Sequence, residues 1–210
     1  MRFFKIMKFI FPIVILTFIG ILLRIPGMDR PVTSDSASML LMHFPNSWDD
    51  LLLNYTDINQ RTLYIFLAKI SMTIFGETEF WFRFPAFLAG VFSLPLAYKV
   101  GMNITGSRIG AWVGTALLTF SSTHLLHTRV GRGYSLTVFF ALAMVFIAYK
   151  LLDEKNFKLW LLLFLLAGLG MILIVPSNVH FLVGIGVFYL IAVLRKSDKI
   201  IAAWGRFLKL

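Results

Sequence analysis

Apolar residues in this chain gather into long runs separated by short polar stretches. The runs cover about residues 6–23, 62–75, 84–104, 109–126, 134–151, 159–175 and 177–194. A helix needs roughly 20 apolar residues to cross a bilayer, with about 17 as the lower limit. Six of the seven runs reach that range. The run 62–75 is shorter and contains Lys69, which predicts an interfacial or re-entrant helix. Leu63, Phe66, Leu67, Ile70 and Ile74 are expected to form its buried stripe. The predicted class is all-α, a polytopic membrane bundle of about six spanning helices with interfacial helices in the first outer loop.

Composition agrees with lipid as the solvent. Hydrophobic residues make up 59% and charged residues 14%, against about a quarter charged in soluble domains. Mean hydropathy is +0.83. The net charge of +10 has no soluble basic domain to carry it, so nucleic acid is not an expected partner. Basic loops held on the cytoplasmic side are the simpler source. With no cysteine, a disulfide framework and a thiolate metal site are both excluded. Met1 to Leu23 begins like a signal peptide, but Arg24-Ile25-Pro26-Gly27 supplies no small-x-small cleavage site. It reads as a retained first helix oriented by Arg2, Lys5 and Lys8.

If the 62–75 run does not span, the loops around Lys99/Arg108, Lys150/Lys155/Lys158 and Arg195/Lys196/Lys199 all share the side of the N-terminus. Thirteen of the 20 Lys and Arg then lie inside and seven of the 10 acids lie outside, the bias that orientation requires. A seven-span alternative would put Lys99, Arg108 and the basic tail outside. The expected protein is multi-pass in the cytoplasmic membrane, with both termini cytoplasmic and its active face extracytoplasmic.

Residues 1–210 read as a single transmembrane domain whose first outer loop runs from about 24 to 83. Pro26, Pro31 and Pro45 punctuate the loop. A short helix is expected over Ser38–Phe44, and Ser47 with Asp50 has capping-box spacing ahead of Leu51-Leu52-Leu53. Gly110-x-x-x-Gly114 permits close helix packing.

Under this topology one membrane face collects Asp35, Gln60-Arg61, Arg83, His124, His127, Arg129, Arg132 and Tyr134. Four outward arginines run against the positive-inside bias, and an anionic headgroup would account for them, since guanidinium forks suit phosphate. Asp35 beside such a group is placed to act as a general base. Bland readings stand next to these. Asp35 is equally a turn-capping acid, Arg83 an interfacial anchor beside Trp81, and Arg129 and Arg132 ligands for ordinary bilayer phosphates. His124 and His127 lack a third metal ligand, and His43 and His180 read as packed or snorkelling. Asp153 and Glu154 read as a solvated inner loop. No metal or cofactor is indicated, a divalent cation at Asp35 being the one left open.

The order of these segments resembles the GT-C glycosyltransferases of the protein O-mannosyltransferase, aminoarabinose transferase and Rgt-like type. The resemblance rests on Ser34-Asp35-Ser36-Ala37, Leu63-Tyr64, Phe75-Gly76-Glu77-Thr78-Glu79-Phe80-x-x-Arg83-Phe84-Pro85 and Ser121-Ser122-x-His124 with Arg129-x-x-Arg132-Gly133-Tyr134-Ser135-Leu136. It covers about Leu23 to Ala148. It implies a polyprenyl-phosphate-linked sugar donor, transfer outside the cytoplasmic membrane with inversion, and Asp35 as the catalytic acid residue. Arg83 and Arg132 fall at positions near the donor site, with Gln60, Arg61, Arg129 and Tyr134 as further donor-binding candidates. Ser36 stands where the family usually has Glu, and Gln60-Arg61-Thr62 replaces the usual His-Pro-Pro. Relatives are longer, so the resemblance implies the N-terminal part of a larger fold.

Two other readings compete with an enzyme. One is a non-catalytic membrane protein that binds lipid-linked sugar or a partner subunit. The other is a small transporter of anionic lipids, against which the scarcity of charge within the spans counts. Sugar and acceptor are not encoded in these motifs.

Overall fold

The computed structural model describes the backbone of residues 2–32, 34–55, 60–152 and 156–207, and the side chains of 11–32, 35–55, 60–152 and 156–195. Arg2, Lys5, Lys8, Asp153, Glu154, Lys155, Lys196 and Lys199, each assigned above to the inner face, lie outside the described side chains.

The described residues form ten α-helices and no strand: α1 (Arg2–Arg24), α2 (Ser34–His43), α3 (Trp48–Leu53), α4 (Thr62–Phe75), α5 (Glu79–Thr105), α6 (Arg108–Phe120), α7 (Ser122–Arg129), α8 (Tyr134–Leu152), α9 (Phe157–Ile174) and α10 (Val179–Phe207). Four spans are long and apolar enough to cross a membrane: α5, α8, α9 and the stretch Pro176–Arg195. Counted as one span, the bent pair α6–α7 makes a fifth. The described side chains of α1, Phe11–Arg24, form a shorter apolar helix, as do those of α4. The protein is an all-helical polytopic membrane bundle.

The 109–126 run is not one straight segment. It breaks at Ser121 and bends by 52°. Ser121 is extended (φ −60°, ψ 115°) and its hydroxyl accepts from the His124 amide, so it stops α6 and caps α7. Periodicity cannot register such a break, because the apolar content continues through it.

α5 is the hub, packed against α1, α4, α6, α7 and α8. Gly101 lets α6 approach closely: a Cβ there would sit 2.8 Å from the Ala111 Cα. The expected Gly110/Gly114 seam does not form. Nothing lies within 4 Å of a Cβ at Gly114, and the atoms nearest a Cβ at Gly110 belong to Thr105. α6 instead turns Ala111, Thr115 and Thr119 inward. Small residues do mediate the contact, on a different stripe from the one the motif suggested.

α4 lies across the end of the bundle. The Tyr64 hydroxyl donates to the Phe82 carbonyl at 2.7 Å. Eleven residues on, Phe75 stacks on Trp81 at 4.4 Å between centroids. That separation is about 16 Å along a helix axis, yet both ends meet the same turn of α5. The helices therefore cross instead of running side by side. Under α4, one core joins Tyr64, Ile65, Ala68 and Met72 to Phe82, Ala86, Leu136 and Ile174, with Met39 and Leu51 from α2 and α3. Burial pushes the Tyr64 hydroxyl up, against a smaller lowering by Arg83, so it stays a donor. The buried face of α4 is thus Tyr64, Ile65, Ala68, Ser71 and Met72, not the stripe expected. Leu63, Phe66, Leu67 and Ile70 are half-buried and Ile74 is exposed. Lipid is as apolar as a protein core, so hydrophobicity alone does not choose which face of the helix packs.

Lys69, the charge that marked the 62–75 run as unusual, is used locally. Its ammonium donates to the Phe44 carbonyl at 3.0 Å and to that of Asn46, and lies over the Trp48 ring at 4.9 Å. It thereby ties α4 to the α2–α3 corner.

Candidate active site

Asp35 is positioned by three layers of contacts. α2 starts four residues earlier than expected, at Ser34, which places Asp35 in its first turn, where the helix dipole favours an anion. The preceding loop is held by Arg83. Its guanidinium donates to the carbonyls of Met28 (2.8 Å), Arg30 (2.5 Å) and Pro31 (3.3 Å). Arg83 is buried, at 5% exposure, so its fork is spent on loop backbone. Ser36 then donates to the Val130 carbonyl at 2.6 Å, joining α2 to the turn between α7 and α8.

That turn delivers Arg132, whose Nη1 meets Asp35 Oδ2 at 2.7 Å. The carboxylate is 57% exposed and the guanidinium 12%. Gly131 makes the turn possible, with φ at +69° and Phe82 2.7 Å from where a Cβ would stand. Arg132 also lies over the Tyr134 ring at 5.3 Å, and Arg61 approaches the same ring at 5.7 Å. His127 packs on it at 4.7 Å between centroids. Asp35, Arg61, Arg132, Tyr134 and His127 therefore form one cluster. The buried Arg61 Nε and His127 Nδ1 have no hydrogen-bond partner there.

A second group of cations lies alongside. Arg24 is fully buried and donates to Gly20 O at 2.9 Å and to His124 Nδ1 at 2.7 Å. Because guanidinium only donates, His124 must accept through Nδ1 and carry its proton on Nε2. Arg129 donates to the Leu23 carbonyl, and its buried Nε is unpartnered. Gly90 makes room for this group: a Cβ there would meet Thr128 at 2.0 Å and Arg24 Nε at 3.3 Å.

Of the residues predicted from sequence, Asp35, Arg61, Arg132 and Tyr134 are brought together. Arg129 lies behind them against the end of α1. Arg83 touches loop carbonyls, and its role visible here is to position the loop. Gln60 is 1% exposed and donates to the carbonyls of Leu51 (3.3 Å) and Asn54 (2.9 Å), closing the α3–α4 connection. The roles of two participants were missed. Arg24 resembles any arginine ending an apolar helix, and its pairing with His124 across 100 residues leaves no local signal. His127 was collected on this face from the sequence, but no role beside Tyr134 was assigned to it. His43 is buried with both ring nitrogens unpartnered, and His180 is exposed and bonded to Ser177 O. Among the described residues, no three His, Asp or Glu side chains converge.

Fold and site together define a multi-pass membrane protein with a cation-rich cluster around one carboxylate at one end of its bundle. The sequence matches, over residues 62–208, the family described as dolichyl-phosphate-mannose-protein mannosyltransferase, and the chain belongs to that family. Membership gives it a mannosyltransferase-like role in broad terms and implies a lipid-linked sugar donor. The matched span contains Arg83, Arg129, Arg132 and Tyr134, while Asp35, Gln60 and Arg61 precede it. Comparison with curated proteins and with solved structures returned no significant match.

Proposed function

We propose that this chain transfers a sugar from a polyprenyl-phosphate donor to an acceptor on the extracytoplasmic face, with Asp35 as general base. The observation that carries the reading is the excess of cations at a single acid: Arg61 and Arg132 share the Tyr134 ring, Arg132 grips Asp35, and Arg129 and Arg24 stand behind. A phosphate monoester or diester is the ligand such an arrangement suits.

In the reaction, the acceptor oxygen attacks the anomeric carbon as Asp35 takes its proton, and the bond from that carbon to the phosphate oxygen breaks. The leaving lipid phosphate gains one negative charge, which Arg61 and Arg132 stabilise where it develops. Attack opposite the leaving group inverts the anomeric carbon. Donor binding would draw Arg132 toward the phosphate and free the carboxylate it holds. Arg83 and Ser36 keep the loop in register. Orientation with this face outside is supported by the excess of Lys and Arg on the other side.

The test is transfer from labelled polyprenyl-phosphate sugar in vesicles, comparing wild type with Asp35→Asn and Asp35→Ala. Loss of about 10²–10⁴-fold in turnover with donor binding retained is expected of a lost general base. Equal product from all three removes Asp35 from the chemistry. Retained donor binding with no product from any, wild type included, favours the binding-protein reading.

A further inference from the structure

At the end of the bundle away from Asp35, two lysines converge on one ring. Lys99 Nζ lies 5.8 Å from the Phe146 centroid and Lys150 Nζ lies 5.6 Å from it. Lys99 is sixteen residues along α5 from Arg83, and Lys150 sixteen along α8 from Tyr134. Arg83 and Tyr134 lie at the Asp35 end of the bundle, so each lysine is about 24 Å along its helix from that end, approaching the roughly 30 Å thickness of a hydrocarbon core. The pair stands at the opposite membrane interface.

Between it and the cluster, α5, α8 and α9 leave a groove of about 750 Å³ open on one side. Phe92, Phe139, Phe140, Phe146 and Trp160 line it, and Lys99 is the sole charged residue in its lining. The volume falls within the range of ligand sites, roughly 300–1,000 Å³. Trp160 packs edge-on against Phe146 at 6.1 Å, so aromatic walls lead directly to the lysines. Over residues 99–108 and 150–158 the sequence places five cations against two acids. Two ammonium groups sharing a ring beside an apolar trough lack a counter-anion that the described side chains could supply.

We infer that this groove seats an acyl chain of an anionic phospholipid from the leaflet opposite Asp35, with its phosphate between Lys99 and Lys150. A donor tail descending from the Asp35 end would bring nothing anionic to this depth, whereas a phospholipid of the opposite leaflet puts its phosphate there. Basic pockets between helices at a membrane interface recognise lipid headgroups in this way, at roughly fivefold in affinity per lysine. The bound lipid would brace α9 against α5 and α8. This inference does not depend on the glycosyl-transfer reading.

The experiment is native mass spectrometry of the purified full chain in nonionic detergent with equal amounts of dioleoyl phosphatidylglycerol and dioleoyl phosphatidylcholine. Wild type should retain the anionic lipid at least about fivefold over the zwitterionic one. Lys99→Gln with Lys150→Gln should abolish that preference, Lys99→Arg with Lys150→Arg should keep it, and Ala143→Phe, which fills the trough, should reduce bound lipid in both charge states. Equal retention of the two lipids by wild type overturns the inference, as does a preference that survives the glutamine pair. Displacement of phosphatidylglycerol by an equimolar polyprenyl phosphate would assign the trough to the donor tail instead.

Discussion

Arg83 illustrates how a residue's chemistry is decided by what surrounds it. On a surface, a guanidinium near this cluster would be read as a phosphate ligand. Buried, with three carbonyls of residues 28–31 in reach, it organises the backbone that presents Asp35. Hydrogen bonds to a charged group contribute about 1.5–3 kcal/mol each, but several of them share one side chain here. Arg83→Met should therefore cost about 3 kcal/mol of stability overall and expose the 24–33 loop to protease, both measurable on the purified protein in detergent. Arg83→Lys should recover only part of the loss, because a point donor cannot reach carbonyls on separate residues as a fork does. Unchanged melting and protease resistance in Arg83→Met would return this arginine to the list of ligands. Ser36 makes a related point. This hydroxyl ties α2 to the Val130 carbonyl, so the position serves the register of Asp35 and Arg132.

Among the elements, α5 depends on how closely its neighbours approach. Gly101 meets backbone of α6, which cannot swing aside as a side chain would. Gly101→Ala should therefore lower stability by about 1–3 kcal/mol, the usual cost of overpacking. Gly114→Ala, which meets nothing within 4 Å, should be neutral or slightly stabilising. Thermal melts of the two variants side by side separate the seam the structure builds from the one the GxxxG motif proposed. Equal melting temperatures would mean that α6 can slide on α5. The break at Ser121 belongs to the same scale. Serine stops one helix and caps the next, and the bend brings His124, Thr128 and Arg129 over α1 and α5.

For the molecule as a whole, the decisive feature is a short helix crossing the end of the bundle. α4 covers the starts of α5 and α8 and the end of α9, and this placement puts Arg61 beside Tyr134. A six-span arrangement then leaves Thr123 and Asn103 on opposite sides of the membrane. As the chain contains no cysteine, Thr123→Cys and Asn103→Cys can each be labelled alone. Thr123→Cys in intact cells should react with an impermeant thiol reagent, and Asn103→Cys should react only after permeabilisation. The reverse pattern would turn the bundle over and place the Asp35 cluster in the cytoplasm.

Membrane class, the all-helical architecture and the existence of a short non-conforming run at 62–75 were all legible in the sequence. They depend on the free energy of burying apolar length in lipid, which is summed locally along the chain. The Ser47 cap was legible for the same reason, since its partner is three residues away. The face that α4 buries, the bend at Ser121 and the packing of Gly101 were not, because lipid is as apolar as a protein core and hydrophobicity no longer says which side is inside. Nor was the membership of the site. Asp35 and Arg132 are separated by 97 residues, Arg24 and His124 by 100. Only the tertiary structure decided which arginines surround the carboxylate and which hold its loop, because pairings at that separation exist only once the helices have packed.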